Sequence, residues 1–317
     1  MSENLTVQAY ERKVTAAERF FAHSPFAIVT MVLRIKGYVS EEMLRRAVIR
    51  VQQRHALLRV RIQTDADHTS WFTSESVREI PIGIVPRESE DDWIEIHAQV
   101  SGMPFEFETH PAIRFVLVQS PELSELIIVS HHIICDGMSL AYLAPDLMVH
   151  LGEPGREVEV LPAPRPIDLD NLPSGVSQPG LVKFLIGRMN RKWAKEAVFF
   201  DQEGYRVLTE AYWHHYHHEL FSTELPEAET SALVARCREE KVTVNSALTA
   251  AFTGSLELDR LIMQPGGGIP LANANLVLGA VTCSGKLSLV VEYVEEAVEA
   301  ATMEKIKDQA MEYLFET

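Results

Sequence analysis

The sequence predicts an α+β fold in which mixed strands and helices form two lobes. Two apolar runs of strand length, Ile113 to Val118 and Leu126 to Ser130, are joined by a short connection and should pair antiparallel. Helical apolar spacing follows Ser40, between other strand-like runs. Because hairpins replace a regular strand–helix–strand alternation, the pattern predicts neither a Rossmann fold nor a TIM barrel.

The first predicted lobe covers residues 1–152. Thr15 and Glu18 have the spacing of a capping box, which predicts a short helix ending at Phe21. The β-branched run Ala27 to Ile35 predicts a strand, and Ser40 should cap the next helix. The remaining predicted elements are strands at Leu58 to Ile62, Trp71 to Phe72 and Ile80 to Val85, a helix at Asp91 to Val100, the strand pair above, and a helix from about Met138 to Leu151.

A segment rich in Pro, Gly and Asp, residues 153–180, is predicted to link the first lobe to a second lobe at 181–317. The second lobe should contain helices at Leu181 to Phe200, Pro226 to Glu240, Val244 to Phe252 and Glu299 to Phe315, a strand at Trp213 to Leu220, and a hairpin of Asn275 to Val281 with Lys286 to Tyr293.

Composition argues against several classes of partner. A formal net charge of −16 disfavours nucleic acid and anionic membranes, since both attract Lys and Arg patches. The three cysteines, Cys135, Cys237 and Cys283, show no paired spacing and indicate a reduced compartment. The polar N-terminus does not resemble a signal peptide, and no apolar run approaches ~20 residues. We therefore expect a cytoplasmic protein with no membrane span.

The most informative stretch is Ser130 to Ser139, where a predicted strand ends in two histidines before an Asp-Gly turn and a helix. Adjacent strand residues point to opposite faces, so at most one of His131 and His132 serves a given cavity. An imidazole can accept a proton near neutral pH. Asp136 could reach back across the turn or fix it through a cationic partner. From the residues alone, a functional site and a structural turn are equally good interpretations.

This stretch resembles the signature of the CoA-dependent acyltransferase superfamily. That superfamily includes chloramphenicol acetyltransferase, the condensation domains of nonribosomal peptide synthetases and polyketide-associated acyltransferases. Arg54 to Arg59 is similar to a second motif of condensation domains. Phe105 to Phe107 with Pro111 to Arg114, and Thr243 to Leu248, resemble further segments of the family. The resemblance implies two chloramphenicol-acetyltransferase-like lobes around a central tunnel or groove.

Residue by residue, the resemblance implies that His132 is the catalytic histidine. It implies that Asp136 is structural and forms an ion pair with Arg59. Gly137 would leave room beside the histidine, and His131 would support the site from the opposite face.

The chemistry implied by the resemblance is acyl transfer, with His132 as the general base. The acyl group would move to an alcohol or amine from CoA or from the phosphopantetheine of an acyl or peptidyl carrier protein. Both thioesters are substrates, so we expect neither a permanently bound cofactor nor a metal. Because no covalent acyl-enzyme is required, Cys135 is interpreted as a packing residue in the turn.

The sequence departs from the family pattern in the second lobe. Family members continue past the helix at Val244 to Phe252 with a strand–helix block, a crossover segment and an Asp-Phe-Gly motif. Here Leu256 to Met263 leads almost directly to the final hairpin, and there is no Asp-Phe-Gly string. We therefore expect an incomplete second lobe. A catalytically impaired binding or scaffold domain of the same fold is the alternative function.

Three other features have less specific interpretations. Histidines 214, 215, 217 and 218 could bind a metal, although a partly exposed strand is the favoured interpretation. Gly266 to Gly268 lacks the Lys-Ser/Thr of a P-loop and is predicted to be a flexible loop. The third feature is a basic cluster on the predicted helix at 181–200, formed by Arg188, Arg191, Lys192 and Lys195. It is interpreted as a solvated helix face, with a docking surface for an acidic carrier protein as the alternative.

Overall fold

The computed structural model describes residues 9–166, 184, 187–188, 200–255, 276–296 and 298–315. The chain divides into two compact units, Met1–Tyr212 and Trp213–Thr317. This division falls after the predicted linker at 153–180 because residues beyond that segment pack within the first unit. The Gln202 side chain donates to the carbonyl oxygen of Phe105 at 2.7 Å and accepts from the amide of Phe107 at 3.0 Å.

The first unit combines two small sheets with helices. Its elements are β1 (Glu11–Lys13), α1 (Ala16–Phe21), β2 (Ile28–Lys36), α2 (Glu41–Arg54), a 3-10 helix (Ala56–Arg59), β3 (Arg61–Thr64), β4 (Ser70–Thr73), β5 (Ile82–Pro86), α3 (Asp92–Ser101), β6 (Ile113–Gln119), β7 (Leu123–His131), α4 (Gly137–Gly152) and α5 (Gln202–His215), which continues past the unit boundary.

Strand β7 lies inside a four-stranded sheet of order β2–β7–β6–β5. It pairs antiparallel with β2, where Ile28 faces His131, and with β6, where Ile113 faces Ser130. Strand β5 runs parallel to β6, and β1, β4 and β3 form a separate antiparallel sheet. Every residue of β7 after Leu123 is buried, which explains its continuous apolar run. The strand therefore gives the following histidines a rigid support.

Helices α2 and α4 supply much of the first unit's core against this sheet. Their apolar positions recur at helical spacing, so one face of each helix is buried. The buried residues that join them to the strands are Leu44, Ala47, Val48, Val51, Phe115, Leu117, Leu126, Ile128, Leu140, Leu143, Leu147 and Leu151.

Helix caps confirm several boundaries predicted from the sequence. Thr15 and Glu18 form the capping box of α1, and the Ser40 hydroxyl accepts from the amide of Met43 at the start of α2. The strand predicted from Leu58 to Ile62 is wrong in its first half. There the 3-10 helix buries Leu58, and β3 starts only at Arg61. Strand β1 was not predicted.

The second unit has a three-stranded antiparallel sheet of order β8–β10–β9. Its elements are β8 (His218–Leu225), α6 (Glu227–Glu239), α7 (Val244–Ser255), β9 (Leu276–Cys283), β10 (Lys286–Val294) and α8 (Ala300–Phe315), and β9 and β10 form the predicted hairpin. The buried core residues that join these elements include Leu225, Leu233, Leu248, Phe252, Leu289, Val291, Met303 and Ile306.

The strand predicted from Trp213 to Leu220 is wrong in its first half because α5 extends to His215. Upstream, Tyr205 and Thr209 are buried four residues apart, a helical spacing that continues into the histidine run. Three sequence predictions lie mainly outside the described residues. They are the helix at 181–200, the basic face at positions 188, 191, 192 and 195, and the glycine loop at 266–268.

Candidate active site

The two adjacent histidines stand at the end of β7. The amide of His131 donates to the carbonyl oxygen of Ala112 at 2.9 Å, and the amide of His132 donates to that of Ala27 at 2.8 Å. Main-chain hydrogen bonds to both flanking segments therefore hold this corner. The ring contacts of the two histidines differ, as the alternation of a strand predicts.

The imidazole of His131 is fully buried, and both of its nitrogens are used within the protein. Nδ1 accepts from the amide of Ile133 at 3.2 Å, so the proton lies on Nε2, which donates to the carbonyl oxygen of Ser24 at 3.2 Å. The ring packs edge-on against Phe107, with centroids 5.0 Å apart. Burial lowers the pKa of His131 to about 3, so this imidazole is neutral.

The imidazole of His132 is half-buried and stacks on Phe21, the last residue of α1. Their centroids are 4.9 Å apart and their planes differ by 20°. Nδ1 lies 3.1 Å from the carbonyl oxygen of Cys135. Since a carbonyl oxygen only accepts, Nδ1 carries the proton. Nε2 keeps its lone pair and has no hydrogen-bond partner among the residues that the structure describes. Burial lowers the pKa of His132, against opposing effects of the Cys135 carbonyl and Asp136.

The contact with Phe21 was missed by the sequence analysis. The capping box predicted where α1 ends, but the packing of that end depends on the β2–β7 register. No local pattern encodes a stack between residues so far apart in the chain.

The turn after His132 is held by a second capping box. The Asp136 carboxylate accepts from the amide of Ser139 at 2.8 Å and from its hydroxyl at 2.6 Å, and caps α4. These hydrogen bonds lower the pKa of Asp136. A carboxylate at a helix N-terminus is also stabilised by the helix dipole.

The ion pair predicted between Asp136 and Arg59 is not among the ion pairs of the described residues. Asp136 meets its hydrogen-bonding needs locally, at the start of α4. The Arg59 Nε is buried with no hydrogen-bond partner in the described part of the chain, and burial lowers the pKa of Arg59. The predicted partner of Asp136 is therefore corrected to Ser139.

Gly137 is the exposed first residue of α4, and its backbone φ is not in the left-handed region. A Cβ at this position would meet no described atom within 4 Å. The structure thus shows open space at Gly137, with no backbone strain that would require glycine.

The segment Arg54 to Arg59, which resembles a second motif of the family, contacts α4 at Asp146. Asp146 is the only acidic residue of α4, and its Oδ2 accepts from Arg54 Nε at 2.9 Å and from His55 Nε2 at 2.7 Å. Arg54 also donates to the carbonyl oxygen of Glu159 at 2.7 Å. These contacts tie the end of α2 to the helix that follows the turn after His132. The sequence analysis did not predict this contact, but a single acidic residue on an otherwise apolar helix could have indicated that Asp146 has a cationic partner.

Arg114 makes its contacts within the protein interior, with Phe105 and Met103. The buried Arg114 guanidinium lies 3.9 Å from the centre of the Phe105 ring and donates to the carbonyl oxygen of Met103 at 2.7 Å. Burial lowers the pKa of Arg114 to about 10. Phe105 and Arg114, which lie in two segments that resemble the family, therefore stack on one another.

The histidines at 214–218 do not share a strand face. His214 and His215 end α5, whereas His217 Nδ1 bonds to Glu296 and His218 Nδ1 bonds to Glu292 at 2.8 Å. Among the described residues, no group of three or more His, Cys, Asp or Glu side chains could hold a metal ion. No helix within the described ranges is long and apolar enough to cross a membrane.

Comparison with protein families gives a match to the condensation-domain model over residues 4–164. A nonribosomal peptide synthetase, agiA, of Aspergillus flavus is 30% identical over 127 residues, which is 39% of this chain and 2% of that protein. A linear gramicidin synthase of Brevibacillus parabrevis is 24% identical over 153 residues, 46% of this chain and 3% of that protein. The chain thus matches only a small fraction of the length of these relatives.

Among solved structures, the epimerization domain from the third module of tyrocidine synthetase B superposes with a TM-score of 0.61 at 14% identity. The superposition covers 97% of this chain and 96% of that domain. At this identity the likeness shows the fold alone, and it confirms the predicted mixed α and β architecture of chloramphenicol-acetyltransferase type. Because the family model matches half of the chain, including the histidines and the turn, the chain belongs to the condensation-domain family.

Proposed function

We propose that this chain transfers an acyl group from a thioester to an alcohol or amine, with His132 as the general base. The observation that carries the proposal is the hydrogen bond from His132 Nδ1 to the carbonyl oxygen of Cys135. It leaves the Nε2 lone pair available to take a proton. Burial lowers the pKa of His132, which keeps the ring neutral near pH 7.

In the proposed reaction, Nε2 removes the acceptor's proton while the acceptor oxygen or nitrogen bonds to the thioester carbonyl carbon. The carbon–sulfur bond then breaks, and the thiol leaves with the proton that the imidazolium returns. His132 is thereby regenerated without an acyl-enzyme. The Cys135 thiol, whose pKa burial raises to about 12, stays protonated and takes no part.

The proposed donor is an acyl or peptidyl thioester on the phosphopantetheine of a carrier protein, with acyl-CoA as a second source of the same chemistry. Membership of the condensation-domain family supports this donor, as do the two relatives, which are named as a peptide synthetase and a gramicidin synthase. Both donors are substrates, so the proposal includes no resident cofactor and no metal. The proposed location is the cytoplasm, where the three free cysteines stay reduced.

The test is thioester-dependent acylation of a panel of alcohols and amines, followed by mass spectrometry, with acyl-CoA and acyl-carrier donors. We expect His132→Ala to lower the rate by at least about 100-fold, the usual contribution of a general base. His214→Ala, which removes an exposed imidazole at the end of α5, is the matched control and should keep the wild-type rate. Equal rates for His132→Ala and wild type would exclude His132 as the base.

Binding of the thioester, measured separately by calorimetry with a non-hydrolysable thioether analogue, distinguishes the alternative function. Binding by wild type without turnover of any acceptor in the panel would favour the binding or scaffold domain. Turnover that requires His132 would exclude that alternative.

A further inference from the structure

A cavity of ≈ 370 Å³ lies in the first unit, beside the connection between α1 and β2. Its floor is apolar and buried, formed by Val14, Phe107 and Ile133. Its rim is polar, and the exposed carboxylates of Glu108 and Asp201 lie on it. Among the described lining residues there is neither a lysine nor an arginine. Among its described lining residues, the cavity therefore has an apolar interior and two carboxylates at its mouth.

His23 projects from the wall of this cavity with an unusual backbone conformation. Its φ is 63°, and another lining residue, His68, has a φ of 62°. Non-glycine residues in this region are uncommon and concentrate at functional sites. The His23 ring is held edge-on by Phe107 at 6.2 Å and by Tyr205 at 6.0 Å. Neither of its nitrogens has a hydrogen-bond partner in the described part of the chain, so both are available to a ligand.

Two further lining residues, Asp201 and Gln202, are held in place by hydrogen bonds. Asp201 accepts from the amide of Gly204 at 2.7 Å through Oδ1, at the start of α5. Gln202 is clamped to the backbone of Phe105 and Phe107. These contacts fix the position of the Asp201 carboxylate, and Oδ2 has no hydrogen-bond partner among the described residues. Burial lowers the pKa of His23, against the opposing charge of Asp201, so the ring is neutral and accepts a hydrogen bond at one nitrogen.

We propose that this cavity binds a small primary amine with an apolar tail, as a site separate from the one at His132. The tail would occupy the buried floor, and the ammonium would lie at the rim between His23 and the carboxylates of Glu108 and Asp201. The ammonium group donates three hydrogen bonds, which matches a neutral imidazole and two carboxylates. A volume of ≈ 370 Å³ is within the range of small-molecule sites. His132 does not line this cavity, so the site does not depend on the proposed acyl transfer.

The test uses benzylamine as the probe on the full chain, with benzyl alcohol and benzoate as its neutral and anionic counterparts. Binding is followed by imidazole nitrogen NMR at pH 7.5 on protein labelled with ¹⁵N-histidine. The His23 signal is assigned with His23→Asn, since asparagine also tolerates the left-handed conformation. Asp201→Asn removes the charge but keeps a good N-cap for α5. Asp92→Asn, the same change on a carboxylate outside the cavity, is the matched control.

We expect benzylamine to shift the His23 signal, and to bind more tightly than benzyl alcohol or benzoate. Asp201→Asn should weaken benzylamine about fivefold, the upper range for an exposed ion pair, and should leave benzyl alcohol unchanged. Asp92→Asn should behave as wild type. The proposal is overturned if benzylamine and benzyl alcohol bind wild type equally, if the His23 signal does not respond, or if Asp201→Asn and Asp92→Asn have the same effect.

Discussion

Two histidine clusters in this chain have opposite environments. His131 and His132 end a buried strand, and burial lowers the pKa of both rings. His217 is exposed in the second unit, and its hydrogen bond to Glu296 raises its pKa. The same side chain is therefore kept neutral in one region and favoured as a cation in the other. Burial and partner charge decide this, not the density of histidines in the sequence.

The two clusters should also respond to acid in opposite ways. His131 has a folded-state pKa of about 3, below its ordinary value of 6.5, so the folded protein binds fewer protons there than the unfolded chain. The contribution of His131 to the free energy of unfolding is present above pH 6.5 and is lost as the pH falls toward 3. The raised pKa of His217 has the opposite consequence, because its contribution is complete below pH 6.5 and is lost at higher pH.

The largest stability effect is expected for His131→Ala. The change leaves a cavity among aromatic rings and two unpaired main-chain groups, so the free energy of unfolding of the first unit should fall by about 2–4 kcal/mol at pH 7.5. The measurement is urea denaturation with His214→Ala as the exposed control, for which the change should stay within about 0.5 kcal/mol. The gap between His131→Ala and wild type should narrow below pH 6.5. A gap that is independent of pH would contradict a neutral, buried imidazole.

Phe21→Ala tests how the environment of His132 is set. Loss of the stacked ring exposes the imidazole, so the pKa of His132 should rise toward its ordinary value. The acidic limb of kcat/KM should move to higher pH, because the base must be neutral to act. Since a pKa of 6.5 leaves about a quarter of the imidazoles neutral at pH 6, we expect the rate at pH 6 to fall by at most about fourfold. NMR titration of His132 checks the shift independently of activity, and an unchanged pKa would show that Phe21 does not set it.

Asp136→Ala should lower the free energy of unfolding by about 1 kcal/mol through loss of the α4 cap. Asp136→Asn keeps a hydrogen-bond acceptor at the N-cap and should lose much less. Thermal unfolding of the two variants compares them directly. Equal losses would indicate instead that the carboxylate charge, rather than the hydrogen bonds to Ser139, stabilises this turn.

The smallest effect is expected for Glu296→Gln in the second unit. The hydrogen bond from His217 lowers the pKa of Glu296 to about 2, below its ordinary value of 4.5. The pair is therefore fully charged in the folded state between pH 4.5 and 6.5, where both contributions are present. The melting temperature of Glu296→Gln should differ from wild type more at pH 5.5 than at pH 8.5. A larger difference at pH 8.5 would contradict the claim that the pair stabilises the folded state through a protonated His217.

The sequence was informative wherever a structural signal is local. The capping boxes at Thr15 and Asp136 use hydrogen bonds across three residues, although only the first was predicted. The continuous apolar run of β7 is typical of a strand buried on both faces, as β7 is. The alternation of a strand also predicted that the side chains of His131 and His132 point to opposite faces. The histidine run at 214–218 misled because its helical part takes its conformation from α5 upstream.

The order of residues was enough to predict the mixed fold and the family resemblance, and through that resemblance it singled out His132 as the candidate base. The partners of that histidine became known only from the folded chain. The stack of Phe21 on His132, the contact of Arg54 with Asp146 across 92 residues, and the local cap that replaces the Asp136–Arg59 pair all depend on how segments meet. Hydrogen bonds within one turn can be read from spacing, whereas contacts across the sheet follow from strand register and packing, which spacing does not encode.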